Sequence, residues 1–372
     1  MKRYIYADNA ATTKLDSDAF EAMKPFLLEE YGNASQPYSF SRSAKKTLKE
    51  AREIIASCIN AEPDEIYFTS GGTESDNWAI KGFAFSRKNA KIVTSAIEHH
   101  AILNSCKTVE ELGYSVEYLP VTGEGIIEPS SLEAVIPECA TLVSIMFANN
   151  EIGTIEPIKA LAEIAHAKGA LFHTDAVQAV GHVCIDVKEL GVDMLSASAH
   201  KFNGPKGIGF LYIKKGTNIS PLNDGGAQEF GMRAGTENVA SIIGMATALK
   251  KNVDQIDANT KHILDLEKRL LSEISKLDYI RNGAPDHIPG NISLSFEGAD
   301  GEAILHRMDL KGVCISTGSA CDSVNTQVSH VIQAIGLEDT YSKGTIRISI
   351  GKDNSEDEIL LIANSLCRIL KH

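Results

Sequence analysis

No stretch of this chain is apolar for long enough to cross a bilayer. Its opening residues, Met1-Lys2-Arg3-Tyr4-Ile5-Tyr6-Ala7-Asp8-Asn9, hold neither the apolar core of a secretion signal nor transit-peptide character. Cations are scarce: 36 Lys and Arg stand against 49 Asp and Glu, a formal net charge of −13. That balance speaks against nucleic acid as a main partner, because phosphate contacts need surplus Lys and Arg. The seven cysteines are odd in number and none forms a C-x-x-C pair, so no disulfide framework is expected. A reduced, cytoplasmic compartment follows as the expectation. No histidine or cysteine spacing suggests zinc. Repeats and low-complexity tracts are also missing.

At 372 residues the chain exceeds the size at which one core stops growing, so one large and one smaller domain are expected. Short apolar runs at 65–70, 91–97, 115–119, 141–148, 170–175, 194–199 and 208–213 alternate with amphipathic stretches. That alternation predicts an α/β fold with a mostly parallel central sheet covered on both faces. A long helical pattern over 236–277 follows, then strands near 291–296, 313–316 and 346–350, and helices near 302–308, 327–335 and 356–370. These predict a smaller α+β domain, joined to the first by one long helix. The expected division is 14–260 for the large domain and 1–13 with 261–372 for the small one. The least regular stretch, 320–326, is expected to be a loop.

Two segments carry the most chemistry. Lys201 sits in Ser198-Ala199-His200-Lys201-Phe202-Asn203-Gly204-Pro205, between a hydroxyl and imidazole run and a Gly-Pro turn. Asp175 ends the otherwise apolar run that includes His173-Thr174, and Gln178 follows three residues later. A buried carboxylate needs a partner. A lysine amine that attaches an aldehyde and an aspartate that pairs a ring nitrogen are what pyridoxal phosphate asks of a protein. Ser70-Gly71-Gly72-Thr73 reads as strand, glycine turn and helix start, where backbone amides and the Thr73 hydroxyl suit a phosphate; a plain turn capped by Thr73 is the alternative. His99 and His100 follow a strand, where a histidine can stack on a ring or move a proton. Asn149 and Asn150 end another strand and suit either a carboxylate, a ring oxygen or simple turn chemistry. Cys321 lies among small polar residues, as an exposed and reactive thiol would, whereas Cys314 reads as a core cysteine. Arg347 alternates with apolar residues on a strand and is suited to a carboxylate.

Taken together these segments resemble the cysteine desulfurases of the NifS/IscS type, within the class V pyridoxal-phosphate aminotransferases. The resemblance runs collinearly from Tyr6-Ala7-Asp8-Asn9 to Arg347. It implies fold type I, a homodimer and persulfide chemistry on L-cysteine. By position, it implies that Lys201 forms the Schiff base with the cofactor, that Asp175 pairs the ring nitrogen, and that His99 stacks on the ring and takes part in catalysis. Gln178 would contact the ring oxygen, while Gly72, Thr73, Ser198 and His200 would hold the phosphate. Thr236, placed at a helix start, would reach the phosphate of the other protomer. Asn150, near the cofactor, and Arg347 would bind the substrate carboxylate. Cys321 would accept the sulfur and pass it to a scaffold protein of the IscU/NifU type, for iron–sulfur cluster or thio-cofactor and tRNA synthesis; transient cluster ligation by Cys321 is the one metal contact implied. The chain departs from the family pattern at Ala34, Tyr38, Asp224, Ala227 and Asp322. Two other readings are a selenocysteine lyase or other class V β-lyase, and a non-catalytic sulfur-transfer scaffold.

Overall fold

The computed structural model describes residues 4–137, 140–317 and 328–370. Among them lie twelve strands: β1 (Ile5–Tyr6), β2 (Ile66–Thr69), β3 (Lys91–Ser95), β4 (Ser115–Leu119), β5 (Thr141–Ser144), β6 (Leu171–Asp175), β7 (Met194–Ser198), β8 (Gly209–Ile213), β9 (Ile280–Asn282), β10 (Asn291–Ser295), β11 (Val313–Cys314) and β12 (Thr345–Ser349). The seven apolar runs of the first half form one seven-stranded sheet in the order β2-β8-β7-β6-β5-β3-β4. All its strands run the same way except β8, which is antiparallel to both β2 and β7. β8 follows β7 through a short turn, and only an antiparallel partner can be reached without a crossover.

Both faces of this sheet are covered, which explains its continuous apolar strands. On one side, Trp78, Ile80 and Phe83 of the helix Gly72–Phe85 pack with Ile102 and Cys106 of the helix His100–Glu111. On the other, Phe68, Phe172 and Phe210 meet Leu48 and Ile55 of the helix Arg42–Cys58 and Met245 and Leu249 of the helix Val239–Asp254. A separate core gathers Ile5 and Ala7 with residues from Ile263 to Ile369, around the antiparallel sheet β12-β10-β9.

Two expectations need correction. The pattern over 236–277 is not one helix but two, Val239–Asp254 and Ile256–Glu273, which meet at Gln255. Gln255 leaves the helical region at φ −117°, ψ 10°. The break lets the first helix bury Ile242, Met245 and Leu249 in the large core, while the second buries Ile263, Leu266 and Leu270 in the other. Cys314 is half-buried rather than a core residue, because β11 pairs only with β1 in a two-stranded sheet; among the described residues, Cys58 and Cys106 are the buried thiols.

Candidate active site

The parallel strands end together, and the chemistry collects at their carboxyl ends, as open α/β sheets dictate. β2 leads through Ser70 and Gly71 into the helix Gly72–Phe85. Gly71 takes φ +147° and is the N-cap, with no side chain capping the helix. The Thr73 hydroxyl therefore does not cap this helix, and the first amides of a long helix point outward. Gly72 has no room for a side chain: a Cβ there would meet Val177 Cγ2 at 2.6 Å. Ser198 ends β7 beside this turn, its Oγ 3.5 Å from the Cβ position of Gly71.

Lys201 lies in a single 3-10 turn, Ala199–Lys201, between β7 and β8. Its Nζ donates to the carbonyls of Ala10 at 2.5 Å and Ala11 at 2.9 Å. Gln178 Nε2 donates to the same Ala10 carbonyl at 3.0 Å. Behind the turn, the Lys201 carbonyl pairs with His182 Nε2 at 2.9 Å. Asp175 is the last residue of β6, and its Oδ1 accepts the Val177 N–H at 2.9 Å. Burial pushes its carboxyl up to about 6, opposed by the Val177 amide and the charge of Lys201.

His99 caps the helix His100–Glu111, with Nδ1 accepting the Ala101 N–H at 3.1 Å. Burial, then the nearby Lys201 charge, lowers its pKa to about 4. A neutral imidazole whose Nδ1 accepts carries its proton on Nε2. His200 is likewise held down to about 4 by burial and by Lys201, and its Nδ1 lies 3.1 Å from Thr12 Oγ1. Arg347 on β12 is 4% exposed. It donates to the Asn150 carbonyl and to Asp8 Oδ1, each at 2.8 Å, while its Nε has no partner.

Gly72, Thr73, His99, Asn150, Asp175, Gln178, Ser198, His200, Lys201 and Arg347 all line one cavity of about 590 Å³. Asn149, by contrast, is spent on the turn: it donates to the Ile97 carbonyl and accepts from Glu151 and Ile152 amides. Thr236 is exposed and does not line the cavity. Nor is it at a helix start, since Asn238 is the N-cap and accepts from Ser241 N. Cys321 and the stretch 320–326 lie outside the described residues.

Sequence reasoning missed Asp76, Glu98 and Asp8. Asp76 sits one turn into the glycine-turn helix, directed at the sheet, and is fully buried. The signal available was its position, four residues after Gly72, on the face that also buries Ala79 and Phe83. Glu98, beside His99, accepts from Ser95 Oγ at 2.7 Å and Met146 N at 3.0 Å, and burial pushes it up to about 8.

The family model for aminotransferase class-V matches residues 5–362. The chain belongs to this family. Among its relatives is a cysteine desulfurase IscS from Dictyoglomus turgidum, 48% identical over 376 residues that cover 100% of this chain and 95% of that protein. A solved NifS-like protein superposes with a TM-score of 0.94 at 37% identity, covering 99% of this chain and 100% of the other. A structure described as SspA in complex with cysteine superposes with a TM-score of 0.84 at 34% identity, covering 94% and 100%. Class-V enzymes of this kind depend on pyridoxal phosphate. The residues fit that group: Lys201 offers an amine to the aldehyde, buried Asp175 a carboxylate to the ring nitrogen, and the helix start at Gly72-Thr73 its backbone amides to the phosphate.

Proposed function

We propose that this cysteine desulfurase converts L-cysteine to L-alanine and carries the released sulfur on Cys321. One observation supports this most: Lys201, Asp175 and Arg347 meet in a single cavity of a chain from this family. Bound pyridoxal phosphate supplies an electron sink that acidifies the amino acid Cα and weakens its Cβ–S bond. Arg347, aimed by Asp8 and the Asn150 carbonyl, binds the substrate carboxylate, with Asn150 beside it. Lys201 would hold the cofactor through its amine, and the same amine is the base placed to take the Cα proton. His99 would stack on the ring, and its Nε2–H is a hydrogen-bond donor rather than an acceptor towards the cavity. Asp175 would pair the ring nitrogen, Gln178 the ring oxygen, and Gly72, Thr73, Ser198 and His200 would hold the phosphate.

The Cys321 thiolate attacks the substrate sulfur. The Cβ–S bond breaks as the S–S bond forms, Cβ takes up a proton, and alanine leaves. The persulfide then passes to an acceptor, such as a scaffold of the IscU/NifU type, for cluster or thio-cofactor synthesis in the cytoplasm. Thr236 completes the phosphate site of a second protomer in a homodimer. In this reading, residues 1–13 with 261–372 form the small domain around the second core, and 14–260 the large one. The test is to incubate the purified protein with L-cysteine and a thiol reductant and to measure alanine and sulfide. Equimolar alanine and sulfide are expected. Pyruvate and ammonia in place of alanine, or no product from fully loaded protein, would refute the reading.

A further inference from the structure

Asp76 is 1% exposed, and its Oδ1 has no hydrogen-bond partner. Its carboxyl, the Asp175 carboxyl and a ring nitrogen of His99 lie within 4.8 Å of one another. Two buried carboxyls this close do not both ionise, so the pair holds a proton. The surroundings decide where it sits. Asp175 has a backbone N–H on Oδ1 and the charge of Lys201 nearby, both of which favour its anion. Asp76 lacks a backbone donor, and burial pushes its carboxyl well above the usual range.

The groups facing Asp76 do not supply a cation. His173 Nε2 on β6 is 3.9 Å from its Oδ1, but that ring is occupied by Ser144 Oγ at 2.9 Å and Ser196 Oγ at 3.0 Å. Burial holds His173 neutral, at about 3. His99 is neutral at physiological pH, and Glu98, whose carboxyl burial pushes up to about 8, brings no positive charge. Ser196 on β7 is the neighbour that favours the Asp76 anion, and the adjoining Asp175 charge outweighs it.

We propose that Asp76 is a positioning residue for the reaction above: as a neutral acid it donates a hydrogen bond to the Asp175 carboxylate and keeps that carboxylate charged and aimed into the cavity. The inference rests on the assignment of Asp175 to the cofactor ring nitrogen. Without this donor, Asp175 becomes the stronger base and draws more on the ring-nitrogen proton. The ring then carries less positive charge, and the group joining it to Lys201 holds its own proton to higher pH.

The test uses the holoenzyme and three variants, with the pH midpoint of the bound-cofactor absorbance as readout. Asp76→Asn keeps a donor and should leave the midpoint near the wild-type value. Asp76→Ala should raise it by about one unit and lower kcat roughly tenfold, with KM for cysteine little changed. If Asp76 were anionic, both variants would remove a negative neighbour and lower the midpoint, which would overturn the proposal. Should the alanine variant not fold, the near-isosteric Asp76→Leu takes its place as the variant without a donor. Unmoved midpoints in both, beside a shifted one in Asp175→Ala, would reduce Asp76 to packing and also overturn it. An unchanged absorbance in Asp175→Ala would instead remove the assignment of Asp175 itself, and the proposal with it.

Discussion

Arg347 reaches back to the amino-terminal segment: its guanidinium donates to Asp8 Oδ1 at 2.8 Å across a gap of 339 residues. With the Asn150 carbonyl on NH1, two of its nitrogens are fixed and Nε is left without a partner at a buried position. A planar cation held this way is oriented for a carboxylate, which a lysine ammonium cannot imitate. Arg347→Lys should raise KM for L-cysteine about tenfold or more and affect kcat less. Steady-state kinetics check it; an unchanged KM would remove Arg347 from substrate binding.

Gly72 is the tightest point of the glycine turn. A methyl group there must displace Val177 Cγ2, 2.6 Å away, or push the turn outward. Gly72→Ala should cost roughly 1–3 kcal/mol of stability and weaken cofactor binding about tenfold. Calorimetry and a fluorescence titration with pyridoxal phosphate would measure the two effects. Full affinity in the variant would argue against a phosphate at this turn.

Glu98 ties stability to pH. Burial raises its carboxyl from 4.5 to about 8, so between those values the folded chain holds a proton that the unfolded chain has lost. Its contribution is fully present below about 4.5 and declines as pH rises through about 8. Glu98→Gln removes that ionisation. The variant should gain on the wild type in Tm from pH 5 to pH 8, by several degrees. A gap that stays constant across the range would show that Glu98 ionises normally.

Cys321→Ser should bind cofactor and cysteine, seen as a change in cofactor absorbance on adding cysteine, yet release no sulfide. A hydroxyl is a far weaker nucleophile toward sulfur than a thiolate. Full-rate desulfuration by the variant would assign the chain to lyase chemistry that needs no cysteine.

Thr236 is exposed, as the proposed shared phosphate site requires. Mixing inactive Lys201→Ala with inactive Thr236→Arg protomers should restore activity, because the heterodimer regains one intact site. Sedimentation must show that heterodimers formed. Heterodimers without activity would refute the shared site.

The inner strands of the main sheet were legible because they are buried on both faces and rich in apolar residues; β4, at the edge, is largely exposed and was marked only by Val116, Tyr118 and Leu119. The reversal of β8 was not legible, since apolar runs carry no direction. The split at Gln255 was hidden because both helices are amphipathic and the residue between them is an ordinary polar one; only the two separate cores reveal it. Lys201 and Asp175 stood out as charges in apolar or turn settings. Asp76 did not, because an acid near a helix start reads as a favourable dipole contact until its burial is seen. Thr236 and Asn238 are both good capping residues, and the sequence alone does not choose between them.

The turn that carries Lys201 closes a pair of interior strands. Ser198 pairs with Gly209 at its base, Ala199 N donates to the Ile208 carbonyl, and Asn252 Nδ2 holds the Phe202 carbonyl from behind. The buried, hydrogen-bonded amides of Ala199, Phe202, Asn203 and Gly204 become solvent-accessible only when the middle of the sheet comes apart. Hydrogen exchange at this turn therefore reports global unfolding, while the termini and edge strands exchange through local opening. The turn proposed to attach the cofactor is among the last parts of the molecule to be surrendered.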